Sequence, residues 1–235
     1  MKNQYMISFR KNTIIAGILF LIAIVSSLLG GGLLESIIKA PDFLTILSAN
    51  TSTVFIGVLL EFINGIAVIG IAVSLYPVLK KQSESIAIGY VGLRIVESIF
   101  CLVSAALPLS LLKLSREYLN SGNSGNSYFQ TLGNFLMGIR SELAELLIPV
   151  FFSLGALLFY YLLFRSILIP RFISVWGFLG ALLILILSLV EVNMIFNIIF
   201  VLPIILNEIF LGFWLIIKGF NYSRIISGTG QTSEM

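Results

Sequence analysis

The chain contains no histidine. That excludes histidine-ligated zinc, His-Asp or His-Cys activation of a nucleophile, axial histidine ligation of haem and a histidine proton switch. It holds one cysteine, Cys101, so no internal disulfide can form. In its apolar surroundings Cys101 reads as a small buried hydrophobe. Charge is scarce as well: 11% of the 235 residues are Asp, Glu, Lys or Arg, where a soluble domain carries about 25%. No solvated domain exists on which Lys and Arg could cluster, so nucleic acid is not an expected partner. There is no Walker A loop and no glycine-rich nucleotide fingerprint, and no cofactor is expected.

What the chain has instead is hydrocarbon. Hydrophobic residues make up 58% of it, and apolar runs of about 18 or more residues, each enough to cross a bilayer, recur along its length. The expected fold is all-α: one integral membrane domain, residues 13–217, of six transmembrane helices arranged as three hairpins. A polar leader (1–12) precedes it and a polar, frayed tail (218–235) follows. The first run, from Thr13 to about Leu34, is too long for a signal-peptide core and reads as a retained span. Gly30-Gly31-Gly32 near its far end should loosen or kink the helix, or let another backbone approach. An external loop (35–52) leads to the second span (53–79) and a short turn at Lys80–Glu84. The third span (86–112) carries Pro108 near its outer end. Residues 113–130 form the one extended loop, with an Asn/Ser/Gly core that points to mobility. The fourth span covers 131–164, and the fifth (172–190) and sixth (196–217) meet through Glu191 and Asn193.

Basic residues set the expected orientation. Nine of the fourteen Lys and Arg (Lys2, Arg10, Lys11, Lys80, Lys81, Arg165, Arg171, Lys218 and Arg224) fall on one side, and three (Lys39, Lys113 and Arg116) on the other. The positive-inside rule then puts both termini in the cytoplasm. Tyr76 and Trp176 fall near the inner interface, where aromatic belts lie.

The remaining two basic residues, Arg94 and Arg140, sit in or near the membrane, where a charge costs about 2.5 kcal/mol or more. They belong to a polar band. At about 1.5 Å per residue, Glu61 lies about 28 Å and Asn64 about 24 Å from the inner face. Arg94 and Glu97 lie at about 20 and 24 Å, Glu145 at about 30 Å with Glu142 and Arg140 beyond it, and Glu208 at about 15 Å. Glu61 with Asn64, Arg94 with Glu97, and Glu142 with Glu145 are i,i+3 pairs, so each pair lines one helix face. Lipid cannot solvate such faces, so they are expected to turn toward the bundle interior or an outward-facing cavity. Arg94 is the natural counter-ion of Glu97 and then of Glu61; Arg140 is expected to pair with Glu142 or Glu145. Five carboxylates against two arginines leave three in excess, either protonated or awaiting a cation.

Short motifs add a resemblance. Gly89-Tyr-Val-Gly-Leu-Arg-Ile-Val-Glu-Ser98, the segment from Phe159 through Arg165, Pro170 and Arg171 to Gly180, Tyr76-Pro-Val-Leu79 and Tyr128-Phe-Gln-Thr-Leu132 together resemble the bacterial and archaeal six-span proteins catalogued as domain of unknown function 4386. The resemblance implies a polytopic membrane protein and brings with it no activity or ligand.

Three functions remain in view. The leading one binds or translocates a small polar solute, a cation or a proton through an outward-facing pocket lined by Glu61, Asn64, Arg94, Glu97, Arg140, Glu142, Glu145 and Glu208. A lipid-directed intramembrane enzyme would need a carboxylate acid and base or a carboxylate-bound metal, and no catalytic or metal residue is singled out. A structural, sensor or immunity-type protein would use the band as glue between helices, at about 0.6 kcal/mol per polar contact. The lipid bilayer is the expected partner throughout, with a homo-oligomer left open.

Overall fold

A computed structural model describes residues 2–122, 126–190 and 194–221, with the side chains of 8–122, 127–190 and 199–221. The described residues are helical, without strands. The helices are α1 (Lys2–Ile38), α2 (Phe43–Ala49), α3 (Thr51–Leu79), α4 (Glu84–Asn120), α5 (Asn126–Glu142), α6 (Ile148–Ser166), α7 (Arg171–Ser188) and α8 (Met194–Ile217). A π-helical turn, Leu143–Leu147, joins α5 to α6 so that the three make one long span. Six helical segments are long and apolar enough to cross a membrane.

The spans form a closed ring. α1 packs on α3, α3 on α4, α4 on α6, α6 on α7, α7 on α8, and α8 returns to α1. The closing seam is fixed at the end rich in Lys and Arg, called here the basic end. There Arg10 donates to the carbonyls of Leu215 (2.9 Å), Ile216 (2.6 Å) and Ile217 (3.0 Å). These carbonyls have no partner within α8, and a guanidinium there also opposes the negative end of the helix dipole.

Two hydrophobic cores stack along the ring axis. The core toward the basic end is built on Phe20, Ile71, Leu75, Leu79, Tyr90, Phe159 and Tyr160. Gly177 is required there, because a β-carbon at that position would overlap the Tyr160 ring. The second core, at the far end, gathers Leu34, Ile37, Phe43, Leu44, Leu47, Leu111, Leu114 and Tyr118.

That second core corrects the expected loops. α4 continues to Asn120 and α5 begins at Asn126, so most of 113–130 is helix; residues 123–125 lie outside the described set. Leu111, Leu114, Ser115 and Tyr118 recur at helical spacing and are buried, which outweighs the Asn/Ser/Gly bias confined to the tip. The expected external loop is also largely helix. α1 runs to Ile38, and α2 is held against α4 by Ser115, whose hydroxyl donates to the Leu44 carbonyl and lies 2.5 Å from the Ser48 hydroxyl. At its other end α1 includes the polar leader from Lys2 onward. It also passes through Gly30-Gly31-Gly32 as helix; only Gly30 serves a close approach, to Gly57 and Glu61. The tail begins in order rather than frayed: Gly219 takes a positive φ of 73°, Phe220 is buried, and the Asn221 amide donates to the Leu168 carbonyl at 2.8 Å. The expected turn through Glu191 and Asn193, like the tail from 222, lies outside the described residues.

Candidate functional site

The polar band separates into two layers and an exposed remainder. The outer layer lies between the two cores. Arg140, on α5 and 4% exposed, donates to both oxygens of Glu61 on α3, Nη2 to Oε1 at 2.6 Å and Nη1 to Oε2 at 3.0 Å. The fork matches the planar guanidinium to the carboxylate, the strongest arrangement such a pair can take. Nη1 also donates to the Ser104 carbonyl at 2.8 Å, and Nε stands 3.7 Å from Glu35 Oε1 on α1. Glu35 in turn holds Lys39 at 2.8 Å. That hydrogen bond, ahead of the charges of Glu35 and Glu145, raises the ammonium pKa of Lys39, which lies just past the first span. A second cavity of about 500 Å³ lies at this layer, with Glu35, Lys39, Asn134, Arg140 and Ser141 in its wall.

Sequence reasoning expected Arg140 to pair with Glu142 or Glu145 and Glu61 to pair with Arg94. Glu61 pairs with Arg140 instead, and Glu142 and Glu145 are exposed. The π-turn explains part of the difference. At about 100° per residue, Arg140 and the buried Ala156 would lie about 160° apart on an uninterrupted α-helix. The extra residue of a π-turn returns about 100° of that, bringing both toward the interior. Glu35 lies in the stretch 35–52, whose composition points to a loop rather than to the band. Its i,i+4 spacing to Lys39 was the signal that the helix continued.

The deeper layer sits within the ring. Arg94 and Glu97, both on α4 and only 4% and 3% exposed, form a 2.8 Å ion pair as their i,i+3 spacing predicts. The Arg94 guanidinium lies over the rings of Tyr90 (5.9 Å) and Phe152 (5.6 Å). Gly155 leaves room for its stem, since a β-carbon there would come within 3.3 Å of Arg94 Cδ. On the neighbouring helix, the Gly65 carbonyl accepts from Ser98 at 2.6 Å, and Asn64 lies 3.9 Å from Cys101 Sγ. Cys101 is buried, as its context suggested.

These groups face a central cavity of about 340 Å³, to which every span except the α5 portion of the fourth contributes. Its polar lining is Asn64, Arg94, Glu97, Cys101 and Glu208, with Ser27 at the edge; Phe20, Ile71, Ile148 and Phe152 are among its apolar walls. Asn207, next to Glu208, turns away and donates to the Ile173 carbonyl at 3.0 Å. Among the described residues Glu208 makes no hydrogen bond or ion pair, although it lines the cavity with Arg94. The apparent excess of three carboxylates thus resolves into two exposed acids and one, Glu208, inside the ring.

Of the eight residues expected to share a pocket, the structure brings four, Asn64, Arg94, Glu97 and Glu208, to one cavity. Glu61 and Arg140 form the separate outer layer, and Glu142 and Glu145 belong to neither. Cys101, Phe20 and Phe152 were not foreseen as lining residues; nothing in an apolar sequence distinguishes a cavity wall from a packed core.

A sequence-family model described as a domain of unknown function (DUF4386) matches residues 15–219. No curated protein and no solved structure gives a significant match to the chain.

Proposed function

The chain belongs to the family described as domain of unknown function DUF4386, and we propose that this member binds a small solute or ion in the central cavity. The observation that carries this reading is Glu208, an acid lining an intramembrane cavity with no basic partner among the described residues. Groups that only fix helix register are matched, as Arg140 and Glu61 are. An unmatched ionisable group at this depth costs about 2.5 kcal/mol or more, so its retention favours a ligand over glue. The cavity volume of about 340 Å³ suits one small molecule, at the low end of the roughly 300–1,000 Å³ of ligand sites.

The count of basic residues supports placing the basic end in the cytoplasm. The apolar core with Leu75 and Leu79 then lies between cavity and cytoplasm. This form of the molecule is suited to binding from the membrane or the outside; translocation requires that core to part.

Cys101 supplies the test, because it lines the cavity and is the chain's one cysteine. In proteoliposomes, methyl methanethiosulfonate should modify Cys101 in the folded protein. Modification seen only after denaturation would mean that solutes cannot reach the cavity, and the reading would fail.

A further inference from the structure

We infer that the ligand of the central cavity is a small monovalent organic cation, an ammonium centre on an apolar body, which enters from the bilayer. The inference rests on the proposed binding role and names the class of molecule bound.

Charge is the first argument. Arg94 is engaged by Glu97, so an ionised Glu208 leaves the cavity with one negative charge in excess. A single positive charge beside Glu208 offsets it, whereas an anion or a neutral molecule leaves the carboxylate stranded in low dielectric. A dication would overshoot and meet the Arg94 guanidinium, and that repulsion selects for one charge.

The lining is the second argument. Hard metal cations take about six oxygen ligands from a site, and the side-chain oxygens here come from Ser27, Asn64, Glu97 and Glu208 alone. No metal-holding group of three His, Cys, Asp or Glu occurs among the described residues. The walls are mostly carbon, with Phe20 and Phe152 among them, the Phe152 ring already lying against the Arg94 guanidinium. Such walls repay the burial of an apolar body.

The mouth is the third argument. Among the lining residues Ser27 and Leu28 are the exposed ones, on α1. Both lie within the span Ser8–Ile38, well away from either end. The opening therefore faces hydrocarbon, and a ligand reaching it must first partition into lipid, as amphipathic amines do.

Three benzyl compounds of similar size separate the classes: benzyltrimethylammonium, its neutral isostere neopentylbenzene, and phenylacetate. In proteoliposomes, benzyltrimethylammonium at ten times its Kd should slow Cys101 modification by about tenfold, from occupancy alone. The other two should leave the rate unchanged. Glu208→Gln should abolish the protection, with a melting temperature no lower than that of the wild type. Equal protection by the neutral or anionic probe would overturn the inference, as would protection that survives in Glu208→Gln. So would a Cys101 that reacts at the same rate with and without benzyltrimethylammonium. If the variant does not fold, the comparison of the three probes on the wild type still decides. Each of these outcomes leaves the binding role standing; only a Cys101 unreactive in the folded protein removes both.

Discussion

At the scale of single residues, matched and unmatched charges call for opposite behaviour. Arg140 is buried and holds Glu61 in a two-point contact, so Arg140→Ala strands a carboxylate between two apolar cores. Thermal or denaturant unfolding in detergent should show a loss of about 3–5 kcal/mol, the usual cost of removing one partner of a buried pair. Replacing both, as Arg140→Met with Glu61→Leu, should recover most of it, because the exchange removes two desolvation penalties along with the attraction. If the double variant is no better than the single one, the pair does not act as a closed unit. Glu208→Gln should behave differently, with stability unchanged or raised, since binding groups commonly cost the fold something. A loss comparable with that of Arg140→Ala would assign Glu208 to the scaffold and count against the cavity as a site. These residues were visible in the sequence as charges among apolar neighbours, and the pairing of Arg94 with Glu97 followed from their spacing on one helix. The partner of Arg140 did not, because spacing along one helix says nothing about which face another helix offers.

At the scale of elements, the π-turn is the feature that composition hides. Leu143–Leu147 holds no residue that marks a break, yet it sets the phase between Arg140 and the buried face of α6 that includes Ser153, Ala156 and Tyr160. Pro149 follows two residues later and has no amide hydrogen to give the carbonyl four residues before it, which makes a regular α-helix less favourable there. Inserting one alanine after Ala144 should add about 100° to the phase and swing Arg140 away from Glu61. The expected loss of stability is close to that of Arg140→Ala, and the two changes combined should cost little more than either, as for residues acting through one contact. Full additivity in a double-mutant cycle would mean that the turn does not position Arg140. The same limit on sequence reasoning explains the missed helix at 113–120, where turn-forming residues close by at 121–126 masked a periodic apolar face.

At the scale of the whole molecule, helix lengths explain why there are two cores. α4 spans 37 residues, about 55 Å at 1.5 Å per residue, against about 30 Å of hydrocarbon. Even when tilted, its last turns stand beyond the membrane, where α2, α5 and the end of α1 assemble the far core around them. Six spans were legible from hydropathy alone, because each span must satisfy its own backbone in lipid; their closure into a ring was not, since hydropathy does not say which helices pack together. The far core was not, since its short helices bury their faces against one another rather than against lipid and leave no long apolar run. Orientation rests on nine basic residues against three, and the positive-inside rule makes it testable with two engineered cysteines. In a Cys101→Ser background, Asn120→Cys marks the exposed tip of α4 and Lys81→Cys the exposed turn between α3 and α4. A membrane-impermeant maleimide added to intact cells should label Asn120→Cys, and should reach Lys81→Cys only after permeabilisation. The reverse pattern would turn the molecule over. The sealed apolar core would then face outward, and the cation site would draw on the cytoplasmic half of the bilayer. Labelling of both positions in intact cells would mean that the ring does not separate the two compartments as a sealed bundle.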